Sequence, residues 1–406
     1  MNVKKINWKT NTAFFLGGQL VTLFGSALVQ YAIIWYVTLK TGSGVMLTAF
    51  VVVASLPMFF ISPFAGVWAD RYNKKYLINI ADAVIAVTTL IVVICFMSGY
   101  EKYWLLWACA GVRALGQGVQ MPAVNAFIPM IVPEEHYARV NGINTTIQSF
   151  SNLISPMLAG VVLSFMSITA IFFIDIATAA IGISIVFFLV HVPKQEVHDH
   201  NKSIDYFRDI KAGFLYIRNQ DWLIRIIIVS VIFFLFIAPL AFITNLKVVR
   251  EYGNEVWRLS ANELTFSAGM IAGGAIISAW GGFKNRSYSM GVANILIGLC
   301  TVAIGFVPVF WSYLVLMGFI GLVFPLFNVS SMTLIQEKVD NAFLGRVFSI
   351  FGMISSVLFP VSMIIFGPLA DIVNVNILFI LSGIVLALLG LPFFISKILR
   401  EAGKKH

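Results

Sequence analysis

Twelve apolar runs, each long enough to cross a lipid bilayer as an α-helix, occupy most of this chain. A helical crossing needs about 20 predominantly apolar residues. Of the 406 residues 59% are hydrophobic and 11% are charged, whereas soluble domains carry about 25% charged residues. We therefore predict an all-α integral membrane protein with twelve transmembrane helices, at 13–39, 46–69, 77–98, 103–128, 140–165, 168–190, 222–246, 260–282, 288–307, 310–335, 346–370 and 374–396.

The basic residues are distributed unevenly between the two sides of the predicted membrane. If the N-terminus lies inside, most of the 27 Lys and Arg fall in cytoplasmic segments. The exceptions are Arg113 within a span and five residues in outer segments: Lys40, Lys102, Lys247, Arg250 and Arg258. This is the positive-inside bias, and it predicts a cell-membrane protein with both termini in the cytoplasm. The net charge of +9 then reflects topology and does not indicate a nucleic-acid partner.

A long polar segment at 191–221 divides the chain into two halves of six spans. The predicted domains are 1–190 and 222–406, each a six-helix bundle, with 191–221 as a cytoplasmic linker. In the second part of the linker, apolar residues recur at helical spacing and basic residues lie on the opposite face. This pattern predicts an interfacial amphipathic helix. His198 and His200 lie in its first part, but no further ligand cluster follows them, so we expect no metal site.

The two halves repeat several residues at nearly constant offsets. Pro122 and Asn125 in span four correspond to Pro325 and Asn328 in span ten. A second offset relates Arg139 to Arg346, at the start of spans five and eleven. The same offset relates Gly160 to Gly367. Weak internal symmetry of this kind is typical of transporters built from duplicated bundles.

Polar residues recur at helical spacing on one face of three spans. A membrane helix carries such a stripe where it faces protein or a water-filled path. The stripes are Gln19, Thr22, Ser26 and Gln30 in span one, Arg113, Gln117 and Gln120 in span four, and Asn141, Thr145, Gln148, Asn152 and Ser155 in span five.

Four acidic residues lie in or at the ends of spans and are candidates for proton coupling. A carboxyl group in membrane surroundings can bind and release protons during a transport cycle. Asp175 is predicted near the outer end of span six, Glu263 at the start of span eight and Asp371 at the end of span eleven. Asp82 is a candidate as well, or else part of a polar cluster at the inner loop after span two. A purely structural role is the alternative for each acid.

The aromatic residues Phe233, Phe236 and Phe324 are candidates for an adaptable apolar pocket. Contact with lipid or packing between helices is the alternative for each ring. Gly269 and Gly273 have a spacing typical of close helix packing. The sequence contains no phosphate-binding glycine loop followed by Lys and Ser or Thr, so we expect no ATP hydrolysis by this chain.

The loop after span two reads Gly66-Val-Trp-Ala-Asp70-Arg71-Tyr-Asn-Lys74-Lys75 and resembles the loop signature of the major facilitator superfamily. Asn73 stands where the usual second glycine would be. The resemblance implies that Asp70 engages Arg71 and the start of span eleven, near Arg346, and so latches the two halves together. A carboxylate is favoured at a helix N-terminus, which makes this contact plausible. A solvated loop that only sets topology is the alternative.

Two further features resemble sequence motifs of the same superfamily. Ser155-Pro156-Met-Leu-Ala159-Gly160, at the end of the polar face of span five, is similar to a degenerate form of the antiporter motif of its exporters. A packing role for these small residues is the alternative. The family also has an arginine at the position of Arg113, which implies an arginine that lines the transport cavity. A structural ion pair or snorkelling toward an interface is the alternative.

Longer stretches, such as IVPEEHYARVNGINTTIQS and LGRVFSIFGMISS, resemble the macrolide-efflux (Mef-type) branch of the superfamily. The resemblance implies a proton-coupled antiporter, not an enzyme, that exports amphiphilic small molecules, first of all macrolide-type antibiotics, by alternating access. It implies a cavity between the halves with polar contacts and aromatic area from Gln19, Gln30, Arg113, Gln117, Asn125, Phe233, Phe236, Phe324 and Asn328.

The expected partners are a small-molecule substrate, protons and the lipid bilayer, with no cofactor because the proton gradient drives transport. We expect a monomer, and the sequence leaves open whether a separate ATPase is a partner. Export of a siderophore or a metabolite is an alternative within the same fold. An uncoupled lipid scramblase or a membrane scaffold is the alternative of another class.

Overall fold

The computed structural model describes residues 8–191 and 214–404, and these ranges are almost entirely helical. A π-helical segment, Ile185–Leu189, extends the sixth long helix, and the short helices Pro392–Ile395 and Lys397–Ala402 follow the last one. The long helices are α1 (Trp8–Thr41), α2 (Gly44–Arg71), α3 (Lys74–Met97), α4 (Tyr103–Ile131), α5 (Tyr137–Phe165), α6 (Ile168–Ser184), α7 (Asp221–Ala238), α8 (Val256–Trp280), α9 (Arg286–Ile304), α10 (Phe310–Lys338), α11 (Asn341–Ile372) and α12 (Val375–Gly390).

The predicted all-α membrane architecture is confirmed. Within 8–191 and 214–404, ten helices are long and apolar enough to cross a membrane. The two long helices outside that set are α4 and α8, which carry Arg113 and Glu263 together with other polar and small residues. Each of these two helices therefore holds at least one of the predicted site residues.

Helix α7 does not end at residue 246 as the sequence predicts. It continues through a π-helical segment (Pro239–Ile243), a short α-helical piece (Thr244–Lys247) and a second π-helical segment (Val248–Tyr252). The segment 247–259, which the sequence places between spans seven and eight, is therefore mostly helical, and its polar groups find partners on the same helix and on α12. The side chain of Lys247 is fully buried, and its Nζ donates to Glu251 Oε2 at 2.5 Å and to Asn376 Oδ1.

The next helix also begins earlier than predicted. Helix α8 starts at Val256, so Arg258 lies in its first turn, where it forms an ion pair with Glu255 at 3.1 Å. Glu263 consequently lies about two turns inside α8. The prediction that Glu263 stands at the start of its span is therefore wrong.

The chain forms two compact units. The first comprises Met1–Thr41 and Ala49–Asp199, and the second comprises Gly42–Thr48 and His200–His406, so the first turn of α2 groups with the second unit. Most of the predicted linker, including His198 and His200, lies outside the described residues. At the linker's described end, 214–218 is helical, with Ile217 buried and Phe214 exposed.

The core of the first unit fixes the helices that carry its polar residues. Helix α1 packs against α5 and α6, and α3 packs against α4 and α6. Phe15 of α1 and Phe127 of α4 are fully buried, with ring centroids 4.7 Å apart. Val186, in the extension of α6, belongs to the same apolar cluster. This packing sets which faces of α1, α4 and α6 meet, and hence where Arg113 and Asp175 point.

Glycines allow close helix contact in the second unit. A Cβ atom added at Gly269 would lie 2.2 Å from the carbonyl oxygen of Gly318, and one at Gly273 would lie 2.0 Å from that of Leu322. Helices α8 and α10 therefore approach at a distance that only glycine permits. Gly274, the next residue along α8, has no atom within 4 Å of such a Cβ.

This difference between neighbouring glycines predicts unequal effects of the same substitution. Gly273→Ala is expected to lower the free energy of unfolding by about 1–3 kcal/mol, because overpacking forces the two helices apart. Gly274→Ala is expected to be neutral or slightly stabilising, since alanine favours the helix and meets no neighbour. Unfolding of the two purified variants in detergent micelles measures both values. Equal destabilisation by both would contradict the packing assignment.

Candidate functional site

Arg113 and Asp175 form a buried ion pair in the first unit. Arg113 Nη1 lies 2.6 Å from Asp175 Oδ2 and 2.8 Å from Thr89 Oγ1, and Nη2 donates to the carbonyl oxygen of Ser26 at 3.3 Å. The two charged side chains are only 5% and 2% exposed. Of the alternatives that the sequence leaves for Arg113, the structure contains the ion pair. A contact between Arg113 and a transported molecule stays a prediction.

Asp175 is held in place by a neighbour on α3 as well as by Arg113. The residue lies about two turns after the start of α6, closer to that end than to the end of the π-helical extension, so its predicted place near the outer end of span six stays a prediction. Thr89, which donates to Asp175 Oδ2 at 3.0 Å, was missed by the sequence analysis. Its signal was available, because Thr89 follows Asp82 by two helical turns and so lies on the same face of α3.

Asp82 has its own partner on α4. Gln120 Nε2 donates to Asp82 Oδ1 at 2.6 Å, and both side chains are buried. The alternative of a cluster with Asp70 and Arg71 stays a prediction, because the side chains of those two residues lie outside the described part of the structure. Gln117, on the same helix as Gln120, is half-buried.

The polar stripe of α1 is covered to different degrees along its length. Gln19 is 2% exposed, whereas Gln30 is exposed. Thr22 Oγ1 donates to backbone carbonyls of its own helix, and the carbonyl of Ser26 accepts from Arg113. The stripe therefore passes from the interior of the first unit at Gln19 to an accessible surface at Gln30.

The residues that resemble an antiporter motif lie at the contact between α5 and α1. Ser155, Pro156, Ala159 and Gly160 are all buried. Ser155 Oγ lies 3.5 Å from the carbonyl oxygen of Phe24, which places this hydroxyl against α1. The geometry supports close packing of the two helices, and a role in antiport stays a prediction.

The loop signature lies at the junction of α2 and α3. Gly66 is half-buried in α2, and Lys74 is buried at the start of α3. Asn73 is not in a left-handed conformation: its φ is −64°, and its side chain caps α3 by accepting from Lys75 N. Lys75 Nζ donates to the carbonyl oxygens of Phe187 and Val190, each at 2.7 Å, at the end of the π-helical extension of α6, and so satisfies groups that lack a helical partner.

Arg346 lies in the first part of α11 and is half-buried. Its guanidinium lies 5.4 Å from the centroid of the Phe343 ring. The predicted latch among Asp70, Arg71 and Arg346 stays a prediction.

Asp371 is held by several donors at once in the second unit. Its carboxylate accepts from Gly44 N at 2.6 Å, from Val45 N at 2.9 Å and from Ser43 Oγ at 2.8 Å, and it pairs with Arg250 at 2.6 Å. The carboxylate thus caps the N-terminus of α2, where the backbone N–H groups and the helix dipole favour negative charge.

Loss of this negative charge is expected to weaken the first turn of α2. Asp371→Asn keeps the shape of the side chain but removes the charge, and it is expected to cost about 1–2 kcal/mol of stability. Hydrogen exchange of the backbone amides at 42–48 measures the effect where it arises. Glu255→Gln, which removes a surface carboxylate 53% exposed, is the matched control. Unchanged exchange at Gly44 and Val45 in Asp371→Asn would show that the contact is not stabilising.

Glu263 lines a cavity of about 210 Å³ in the second unit. Thr244 and Asn262 are its other polar lining residues. Both are engaged elsewhere, since Thr244 Oγ1 donates to the carbonyl of Leu240 and Asn262 Oδ1 accepts from Tyr313 Oη at 2.7 Å. The rest of the wall is apolar and includes Ile237, Leu240, Phe266, Met317, Ile320 and Phe324.

The other predicted cavity residues of the second unit are placed differently. Phe324 lines the cavity, but Phe233 is fully buried and stacks on Phe327 with ring centroids 4.2 Å apart. Phe236 packs edge-on against Phe366. The rings of Phe233 and Phe236 pack between helices and do not line this cavity. Their predicted role in an aromatic pocket does not apply to this cavity. Asn328, and Asn125 in the first unit, are exposed.

No group of three or more His, Cys, Asp or Glu side chains that could hold a metal ion occurs within 8–191 and 214–404. Cys95, Cys109 and Cys300 have free thiols.

Within 8–191 and 214–404, the twelve long helices, ten of them long and apolar enough to cross a bilayer, define a multi-pass membrane protein. The chain belongs to the Major Facilitator Superfamily, whose family model matches residues 15–361. Its relatives and its structural neighbours are transporters and not enzymes.

The similar proteins include several exporters. Macrolide efflux protein A of Streptococcus pyogenes is 30% identical over 381 residues, which is 93% of each chain. Macrolide efflux protein A of Enterococcus faecalis is 27% identical over 312 residues, covering 76% of this chain and 96% of the relative. The multidrug efflux pump Tap of Mycobacterium bovis is 22% identical over 401 residues, covering 94% and 92%. The predicted resemblance to the macrolide-efflux branch is confirmed.

Solved structures share the architecture. The nucleoside transporter NupG aligns with a TM-score of 0.67 at 17% identity, covering 97% of this chain and 100% of that chain. A D-xylose–proton symporter aligns with a TM-score of 0.69 at 14% identity, covering 97% and 99%. At these identities the likeness shows the fold alone.

Proposed function

We propose that this chain is a proton-coupled antiporter that exports amphiphilic small molecules, with macrolide-type antibiotics as the first candidate cargo. The homology to two macrolide efflux proteins over most of the chain supports export and this cargo. The similarity to a multidrug efflux pump supports a broader range of amphiphilic substrates. Transport by alternating access, in the cell membrane with both termini in the cytoplasm, belongs to the same proposal.

The observation that carries the coupling part of the proposal is the difference among the four acids. Asp175 pairs with Arg113, Asp371 pairs with Arg250, and Asp82 accepts from Gln120. For Glu263, the described residues supply neither a hydrogen bond nor an ion pair, and its carboxyl group borders a cavity. A carboxyl group without a fixed partner can exchange its proton with the least rearrangement, so Glu263 is the favoured coupling residue.

Protonation of Glu263 would change the stability of one conformational state relative to another. A ligand shifts such an equilibrium only by its differential affinity for the two states. A proton that binds Glu263 from the outer side would favour return to the inward-open state, and release inside would favour export.

Two other functions remain as rivals. A siderophore or metabolite exporter would share the fold and the coupling and differ in cargo. An uncoupled lipid scramblase or a membrane scaffold would show no dependence on a pH gradient.

The decisive experiment is a drug-susceptibility panel in an efflux-deficient bacterium, with macrolides, other amphiphilic antibiotics and siderophores, with and without a protonophore. Expression of the chain is expected to raise the inhibitory concentration of macrolides, and the protonophore is expected to abolish the difference. No shift for any macrolide would reject the cargo. A shift that the protonophore leaves intact would reject the coupling.

A further inference from the structure

The cavity beside Glu263 is too small for a whole drug-sized molecule. Drug-sized sites occupy about 300–1,000 Å³, whereas this cavity occupies about 210 Å³. It has the size for one ring or one substituted head group, with the rest of a larger molecule outside it.

The wall of the cavity combines one unengaged acid with aromatic rings. A carboxylate facing an apolar cavity is unfavourable unless a cation or hydrogen-bond donors compensate it. Phe266, Phe324 and Phe359 also line the cavity, and the faces of aromatic rings attract cations. Both features favour a group that is positively charged and apolar at its periphery.

The cations of the neighbouring helical stretches are already paired. Lys247 is bound to Glu251 and Asn376, Arg250 to Asp371, and Arg258 to Glu255. Among the described residues, no basic side chain forms an ion pair with Glu263. A compensating positive charge for this carboxylate must come from a ligand or from a proton.

We infer that the cavity lined by Glu263, Phe266 and Phe324 is a binding subsite for an organic cation, a substituted ammonium group attached to an apolar body. The carboxylate compensates the positive charge, and the rings contact its alkyl substituents. The inference rests on the proposed function in that such a group would be part of an exported molecule, which the cavity would hold by its charged end.

The test uses two probes of nearly equal shape that differ in charge. Benzyltrimethylammonium is permanently charged, and neopentylbenzene is its neutral analogue with carbon in place of nitrogen. Binding of each to the purified full-length chain in lipid nanodiscs is measured by saturation-transfer NMR titration. The variants are Glu263→Gln, Glu263→Asp, Ala241→Phe, which places a ring at the lining residue Ala241, and the surface control Glu255→Gln.

The expected result is a charge-selective loss. Glu263→Gln is expected to weaken benzyltrimethylammonium binding by about tenfold or more, with little change for neopentylbenzene, and Glu263→Asp is expected to retain part of the affinity. Ala241→Phe is expected to weaken both probes, and Glu255→Gln neither. An unchanged dissociation constant for the cation in Glu263→Gln would overturn the inference. Equal loss of both probes in that variant would also overturn it, since the carboxyl group would then act only through structure.

Failure of this inference and failure of the proposed function give different results. Charge-selective binding without any shift in drug susceptibility would leave the subsite standing and reject macrolide export. Proton-dependent export with no charge-selective binding would support the proposed function and reject the subsite.

Discussion

Replacing either member of the Arg113–Asp175 pair alone is expected to destabilise the protein by about 3–5 kcal/mol, because the remaining charge stays buried without a partner. The side chains are 5% and 2% exposed, and the protein groups around them are already arranged for the pair. Asp175→Asn leaves a guanidinium with Thr89 and one backbone carbonyl. Arg113→Gln leaves a carboxylate with a single hydroxyl donor. Thermal unfolding of the purified variants in detergent measures the loss.

A double variant separates attraction between the charges from other causes. Arg113→Met combined with Asp175→Leu removes both charges and fills the space with apolar atoms, and it is expected to recover most of the stability. If the double variant is as unstable as the single ones, the ion pair is not the origin of the effect. If stability returns but export does not, the pair also serves transport, which is the predicted role of Arg113 that the static geometry leaves open.

The number and type of the elements could be predicted from the sequence, because hydropathy depends only on local composition. The partners of buried charges could not. The same half of the chain contains Asp82, Asp175 and other acids that could pair with Arg113. Which acid pairs with it depends on how α3, α4 and α6 are shifted along and rotated about their axes. Those quantities are set by packing such as the Phe15–Phe127 contact, which no spacing rule contains.

The error at 247–259 has a local cause. A cluster of Lys, Arg and Glu after an apolar run resembles a loop in hydropathy, yet Lys247 and Glu251 are four residues apart and can pair along one helix face. The pairing compensates the charge of the fully buried Lys247, and the helix continues to Tyr252. The misplacement of Glu263 followed from the same error, because its helix was assumed to begin four residues too late.

From the sequence, all four acids are candidates for proton coupling. Their surroundings distinguish them, since three have fixed partners and Glu263 borders an apolar cavity. A cavity is a property of how α7, α8, α10 and α11 pack, and residues that line it, such as Met317 and Phe359, have no sequence signal of their own. The distinction among the acids therefore required tertiary structure.

Glu263→Gln is expected to reduce pH-gradient-driven export by about tenfold or more, a change of ~1.4 kcal/mol or more in the coupled step. The amide keeps the shape of the side chain but can no longer bind or release a proton. Proteoliposomes with an imposed pH gradient and a labelled substrate from the susceptibility panel measure this rate. Exchange of labelled for unlabelled substrate without a gradient, at saturating concentration, reports whether the variant can still change conformation.

The controls for this experiment are the acids that have partners. Export by Asp371→Asn is expected to keep its dependence on the pH gradient. In the native protein, Arg250 and the N-terminus of α2 stabilise the charged carboxylate of Asp371, which caps that helix. Glu255→Gln is expected to behave as the unchanged protein. Full gradient-driven export by Glu263→Gln would remove Glu263 from the coupling mechanism. In that case Asp82 is the next candidate, since its one described hydrogen-bond partner is the neutral amide of Gln120 and it forms no ion pair with a described residue.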